Sequence, residues 1–182
     1  MIRVAVFIVV SVGLVYVSRA SLAAPRSHGF YRFFAWEAIL ALVLWNAPAW
    51  FRDPFTWRQI VSWTCLAISA VLAVHGMHLL RSAGRPRAGR SGEALLGIEK
   101  TTELVTAGAY RYIRHPLYSS LLFLGWGAFL KAPSWPGGVL AFMATLFLVA
   151  TAKVEERENI RYFGTAYESY TRRTKMFIPY VL

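Results

Sequence analysis

Apolar residues run in long blocks along this chain, and polar residues gather between the blocks. Five stretches lack charge for long enough to predict helices of membrane length or close to it. They are Val4–Ser18, Ala38–Phe51 (extending back past Glu37 to Phe33), Gln59–Leu80, His115–Leu130 and Ala132–Ala152. At ~1.5 Å per residue the third reaches ~33 Å, a full hydrocarbon core. The first reaches only ~22 Å, so Arg3 and Arg19 at its ends must extend outward along their aliphatic stems. That first block also fits a second reading: Arg3, an apolar stretch and then "SLAAP" resemble a signal peptide ahead of a cleavage site. The "KAPSWPGG" stretch, Lys131–Gly138, is short and rich in turn formers, so the last two blocks are expected to form a tight helical hairpin. There is no internal repeat and no heptad pattern.

Composition strengthens the membrane reading. Hydrophobic residues make up 57% of the chain, against roughly 45–50% in a soluble domain. Charged residues make up 16%, below the usual ~25%. The 7 tryptophans and 9 tyrosines suit membrane–water interfaces. The single cysteine, Cys65, excludes an internal disulfide and a cysteine-based zinc site.

The net charge of +11 would suggest nucleic acid in a soluble protein. Here the basic residues sit between apolar blocks, so the expected partner is the lipid bilayer and its anionic face, with no nucleic acid. Seven basic residues lie between Arg81 and Arg114, six more from Lys153 onward, and Arg19, Arg26 and Arg32 lie between the first two blocks. Five spans place all three regions on one side. The positive-inside rule makes that side cytoplasmic, with the N-terminus outside and the C-terminus inside. The "RSAGRPRAGRSG" stretch, Arg81–Gly92, reads as a solvated basic linker at the lipid headgroups.

Two polar clusters stand at the cytoplasmic ends of the last two blocks. The first is "TTELVTAGAYRYIRHPLY", Thr101–Tyr118, and the second is "KVEERENIRYFGTAYESY", Lys153–Tyr170. The hairpin should make them neighbours. Pro116 suits the first turn of a helix, with His115 near its N-cap. The N–H groups of Leu117, Tyr118 and Ser119 would then face the cytoplasm and attract a carboxylate. Gly108 permits a tight turn before Tyr110. Tyr110, Tyr112 and Tyr118 can line an aromatic wall. Glu155 and Glu156 oppose the dipole of a helix that ends there, so that helix is expected to continue to about Tyr162, before the break at Phe163-Gly164. A glutamate pair at the membrane boundary calls for a cation: either a small-molecule ammonium, or Arg114 or Lys153 of the chain itself. A helix start for a carboxylate, a glutamate pair for an ammonium and tyrosines for a planar base fit an amino-acid-bearing nucleotide such as S-adenosylmethionine, whose sulfonium aromatic faces also attract.

These residues resemble the isoprenylcysteine carboxyl methyltransferase family and the related phospholipid methyltransferases, integral membrane enzymes that use S-adenosylmethionine. The likeness covers about Thr101–Pro179, through "LVTAGAYRYIRHPLY" and "EERENIRYFGTAYESY". The resemblance implies that Thr102, Glu103, Leu104, Val105, Tyr110, His115, Pro116, Leu117, Tyr118 and Glu155 line the cofactor site. Eukaryotic members that methylate prenylcysteine carry an arginine four residues before that glutamate, where this chain has Thr151. Arg114 and Glu156 are the candidate catalytic residues: Arg114, with Arg111 or Lys153 as alternatives, toward an acceptor's carboxylate, and Glu156, with His115 as the alternative, toward an acceptor's proton. The expected fold is all-α: a polytopic membrane protein with about five transmembrane helices and a C-terminal cytoplasmic helix. Residues 1–80 would hold three helices on the substrate side, 81–100 the basic cytoplasmic linker, and 101–182 the cofactor-binding catalytic region with the hairpin 115–152. The acceptor would be lipophilic, isoprenylcysteine carboxylate-like or phospholipid-like.

Two other readings are open at this point. His75 and His78, three residues apart, with His115 at similar depth, could ligate haem in a membrane redox protein. Gly125, Gly127, Gly137 and Gly138 permit the close helix packing of a non-catalytic scaffold. There is no G-x-G-x-x-G, P-loop or H-E-x-x-H motif.

Overall fold

Each apolar block becomes a helix in the computed structural model, which describes residues 1–84 and 101–181. The helices are α1 (Ile2–Leu22), α2 (His28–Trp45), α3 (Trp57–Ser82), α4 (Pro116–Lys131), α5 (Trp135–Phe163) and α6 (Thr165–Arg173), with short 3-10 turns at Ala47–Ala49 and Gly108–Arg111. Among the described residues there is no strand; one isolated bridge joins Ile113 and Lys175. Most of the basic linker read at 81–100 lies outside the described residues.

The helix ends follow local chemistry. Ser27 Oγ accepts from the Phe30 N–H at 3.3 Å and caps α2, and Ser134 does the same for Gly137 at the start of α5. Pro116 begins α4 and costs it no hydrogen bond. The second block was read through to Phe51, but α2 stops at Trp45, because Asn46 leaves helical geometry and Pro48 lies just beyond it. Helix α5 runs past the glutamate pair as expected and ends at Gly164, whose φ of +60° is open to glycine.

Among the described residues three helices, α1, α3 and α5, are long and apolar enough to cross a membrane. Their outward faces carry exposed Val, Ile, Leu and Phe side chains, such as Val9, Val74 and Phe142. In water such a surface would be unfavourable; against lipid tails it is not. The chain is an integral membrane protein. Its core sits where α2 meets α5. Ala35, Ala38 and Leu42 on α2 face Ala141, Ala144, Leu148 and Ala152 on α5. Small residues at helical spacing let the two backbones approach closely, the main way apolar helices associate in lipid. Helix α3 packs chiefly on α4, and α1 lies outside on α2.

The end of the bundle near Lys131 closes on itself. Lys131 is fully buried; its Nζ donates to Gln59 Oε1 at 3.0 Å and lies 3.4 Å from the centre of the Trp63 ring. Gln59 Nε2 donates to the carbonyls of Ala49 and Arg52, both at 3.0 Å. Asn46 Nδ2 donates to the Ala128 carbonyl at 2.8 Å, and Ser62 Oγ to that of Gly127 at 2.7 Å. Side chains thus take up carbonyls in the last turns of α4.

Candidate functional site

The opposite end of α4 is shaped by the segment before it. Gly108 turns the chain with a φ of +56°, and a Cβ there would lie 2.5 Å from His75 Nε2, so only glycine fits. The 3-10 turn that follows carries Tyr110 into the interior. The C-terminal segment then locks Tyr112–His115 in place. Arg114 N–H donates to the Lys175 carbonyl at 2.8 Å, Lys175 N–H to that of Tyr112 at 3.0 Å, and His115 N–H to that of Met176 at 3.2 Å.

His115 occupies the N-cap position of α4, but its side chain caps nothing. The imidazole stacks on the Tyr118 ring at 5.4 Å and reaches across to α5. Its Nδ1 lies 3.8 Å from Glu155 Oε2 and its Nε2 3.3 Å from Glu156 Oε1. The two polar clusters therefore meet, as the hairpin predicts.

The two glutamates then part company. Glu156 Oε1 accepts from Arg114 Nε at 2.6 Å; Arg114 also donates from Nη1 to the carbonyls of Thr171 and Thr174. This is the internal-cation reading of the pair, and it holds for Glu156 alone. Glu155 instead lines a cleft, and its Oε2 is buried with no hydrogen-bond partner among the described residues.

That cleft is a small cavity of about 90 Å³. Of the predicted residues, Glu103, Leu104, Val105, Tyr110, Arg114, His115, Leu117, Tyr118 and Glu155 line it. Three predicted residues do not. The Thr102 N–H donates to the Gly84 carbonyl at 3.0 Å. Pro116 turns toward Gly76 of α3. Glu156 stands behind the wall, holding Arg114 and His115. The cleft also takes in Asn159, Phe163, Tyr167 and Tyr170. The two tyrosines belong to the second cluster and could have been assigned from their helical spacing. Asn159 and Phe163 carried no signal beyond lying one and two turns past Glu155 on the same helix.

The aromatic wall is tied together. Tyr170 donates its hydroxyl to the Tyr110 carbonyl at 2.6 Å, and Phe163 stacks on Tyr167 at 6.4 Å. Burial pushes the Tyr110, Tyr167 and Tyr170 phenols well above the ordinary tyrosine range, and the Glu155 charge pushes the first two further. All three stay neutral donors at physiological pH. At the start of α4, the N–H groups of Leu117 and Tyr118 have no acceptor within the helix. Ser119 was expected to join them, but its N–H donates to the His115 carbonyl at 2.9 Å.

Thr151 is fully buried and donates its hydroxyl to the Phe147 carbonyl at 2.7 Å, away from the cleft. Two buried residues of α2, Arg32 and His28, were not assigned to this site from the sequence. Arg32 was counted among loop charges yet is only 2% exposed. His28 Nδ1 lies 2.6 Å from Glu158 Oε2. The haem reading finds no support in the geometry, since His75 Nε2 accepts from the Ala109 N–H at 3.4 Å and His115 faces two carboxylates.

The family model for phospholipid methyltransferases matches residues 57–166, more than half of the chain. Methanethiol S-methyltransferase 1 of Bradyrhizobium diazoefficiens is 35% identical over 47% of this chain and 30% of its own length. Protein-S-isoprenylcysteine O-methyltransferase of Mus musculus is 30% identical over 69% of this chain and 45% of its own. Protein-S-isoprenylcysteine O-methyltransferase B of Arabidopsis thaliana is 32% identical over 57% of this chain and 54% of its own. The chain thus spans about half the length of these relatives or less. No solved structure matches it.

Proposed function

We propose that this chain, which belongs to the phospholipid methyltransferase family, is an S-adenosylmethionine-dependent membrane methyltransferase acting on a lipophilic acceptor. One observation carries the reading: Glu155, with a buried oxygen lacking a hydrogen-bond partner, shares a cleft with an open helix start and a neutral aromatic wall. That donor set fits S-adenosylmethionine, whose three recognisable parts are an ammonium, a carboxylate and a planar base. When bound, the cofactor supplies an electrophilic methyl group on a sulfonium.

The chain's own residues divide the work. Glu155 offers its carboxylate to an ammonium. The Leu117 and Tyr118 N–H groups at the start of α4 offer donors to a carboxylate. Tyr110, Tyr167 and Phe163 form an apolar slot for a base and keep water from the reacting centre. Tyr170 fixes Tyr110 through its carbonyl. Methyl transfer from sulfonium is an in-line displacement, so alignment in a dry cleft matters more than acid or base. Arg114 and Glu156 serve that alignment. Their ion pair holds His115 from behind, and the Arg114 bonds to Thr171 and Thr174 fasten α6 over the cleft.

In this reading α1–α5 all cross the bilayer, the N-terminus lies outside, and the cleft opens to the cytoplasm. Residues 1–80 face the acceptor and 101–182 hold the cofactor. The acceptor is an isoprenylcysteine carboxylate-like or phospholipid-like molecule, or a thiol such as the Bradyrhizobium relative's name indicates. Thr151 offers no cation to an acceptor carboxylate, which favours amine and thiol acceptors over acids.

The test is transfer of a tritiated methyl group from S-adenosylmethionine by the detergent-purified protein. The acceptor panel should contain prenylated thiol acids, phosphatidylethanolamine and aliphatic thiols. Label entering an organic-extractable product above the background of Glu155→Gln supports the reading. No transfer to any acceptor, together with no S-adenosylmethionine binding by folded protein, would overturn it.

A further inference from the structure

A second opening lies beside the cleft and takes no part in the proposed chemistry. It is a surface groove of about 560 Å³ between residues 104–111 and one face of α6. Ala166, Ser169, Tyr170 and Arg173 form that face, recurring at three- and four-residue steps along the helix. Leu104 and Tyr170 line both openings, so groove and cleft share a wall.

Arg111 lines the groove from the turn and Arg173 from α6. Backbone pairing brings them there. Ile113 and Lys175 form a parallel bridge, held by the Arg114 N–H on the Lys175 carbonyl at 2.8 Å and the Lys175 N–H on the Tyr112 carbonyl at 3.0 Å. Arg111 stands two residues before one bridge partner and Arg173 two before the other. The register that makes the bridge therefore places two guanidiniums on one groove. Both arginines are exposed, and no carboxylate is among the described residues that line the groove. Two like charges gathered this way repel. An anion between them replaces repulsion with charge-assisted hydrogen bonds, and the paired oxygens of a phosphate match the guanidinium fork. The exposed hydroxyls of Thr106 and Ser169 on the same walls can add donors.

The position of the groove selects the source of that phosphate. Arg111 lies five residues before Pro116, where α4 begins and, in the proposed topology, enters the bilayer. Tyr112 beside it is 48% exposed, with the Arg111 guanidinium 6.0 Å from its ring centre. An exposed tyrosine at the mouth of a membrane helix suits headgroup depth, where the cytoplasmic leaflet presents net-negative phosphate groups. We infer that the Arg111–Arg173 groove binds the phosphate of an anionic phospholipid, which ties α6 to the turn before α4. Arg114 already fastens the end of α6 through the Thr171 and Thr174 carbonyls; the lipid is a second tie on the same cover. The inference takes its depth from the proposed topology and does not depend on which cofactor the cleft holds.

The experiment titrates the detergent-purified protein with dioleoylphosphatidylglycerol in mixed micelles, read by the thermal midpoint and by lipid retained in native mass spectrometry. Dioleoylphosphatidylcholine and inorganic phosphate are the comparison probes. The variants are Arg111→Gln, Arg173→Gln, the two combined, and Arg157→Gln/Arg161→Gln, which removes two exposed charges of α5 that do not line the groove. Wild type should retain phosphatidylglycerol in preference to phosphatidylcholine, with a raised thermal midpoint. Each single groove variant should weaken its apparent affinity about fivefold, and the combined variant about twenty-five-fold, the scale of one and two basic residues at an anionic lipid surface. The α5 pair should change it less than about twofold. If the combined groove variant fails to fold, the two single variants carry the comparison. Equal weakening by the α5 pair would reduce the effect to general attraction and overturn the site, as would unchanged affinity in the groove variants or no preference for phosphatidylglycerol in folded wild type. Inorganic phosphate matching the lipid at equal concentration would overturn the lipid assignment, leaving a groove for free anions.

Discussion

The two ends of α4 are each built around buried polar groups, and they differ in what those groups face. At the Lys131 end, the ammonium bonds Gln59, and Gln59, Asn46 and Ser62 bond carbonyls of α4 and the α2–α3 loop. At the His115 end the helix begins without a side-chain cap, and Glu155, which lines the cleft, keeps a buried oxygen with no hydrogen-bond partner among the described residues. A polar cluster that satisfies itself rigidifies a bundle; one left open beside a cavity has the form of a ligand site. Burial and charge alone do not separate the two. Whether the bonds are filled does.

This contrast can be broken from either side. The largest effect is expected from Gln59→Leu at the closed end. It strips the Ala49 and Arg52 carbonyls and the Lys131 ammonium of their partner, and should lower unfolding free energy by roughly 3 kcal/mol, read by denaturation in detergent. S-adenosylmethionine affinity should stay unchanged. Next is Glu155→Gln at the open end, with the opposite signature: affinity about a hundredfold weaker, or ~2.7 kcal/mol, and a thermal midpoint near that of wild type.

Gly108→Ala sharpens the picture at the turn before the cleft. A Cβ at that positive φ meets His75 Nε2 at 2.5 Å and Leu79 Cδ1 at 2.7 Å. We expect a stability loss of about 2 kcal/mol and weaker cofactor binding, because Tyr110 rides on the displaced turn. Smallest is Tyr170→Phe, which removes one buried hydrogen bond to the Tyr110 carbonyl. It should cost about 1 kcal/mol in stability, with a modest rise in the Kd for S-adenosylmethionine.

Much of this was legible in the sequence because it rests on local signals. Charge-free blocks marked five long helices, and Pro116 and Gly164 marked where α4 begins and α5 ends. The short turn at 132–134 makes the two clusters neighbours, as expected, with His115 Nδ1 3.8 Å from Glu155 Oε2. What escaped depended on contacts between distant helices. Arg32 sits one turn into α2. In one dimension it looks like another loop charge; only the packing of α2 against its neighbours shows it buried. The division of labour between Glu155 and Glu156 was equally hidden. Adjacent residues on a helix point about 100° apart, so one faces the cleft and the other Arg114, and no pattern of neighbours says which. The closed end escaped for the same reason: Lys131 and Gln59 stand 72 positions apart.

The most direct test of the central claim is calorimetric titration of S-adenosylmethionine into detergent-purified wild type, Glu155→Gln and Gln59→Leu. The account predicts binding by wild type, retention of that affinity in Gln59→Leu despite its lower stability, and loss in the stable Glu155→Gln. Equal binding by wild type and Glu155→Gln, or no binding by folded wild type, would contradict it.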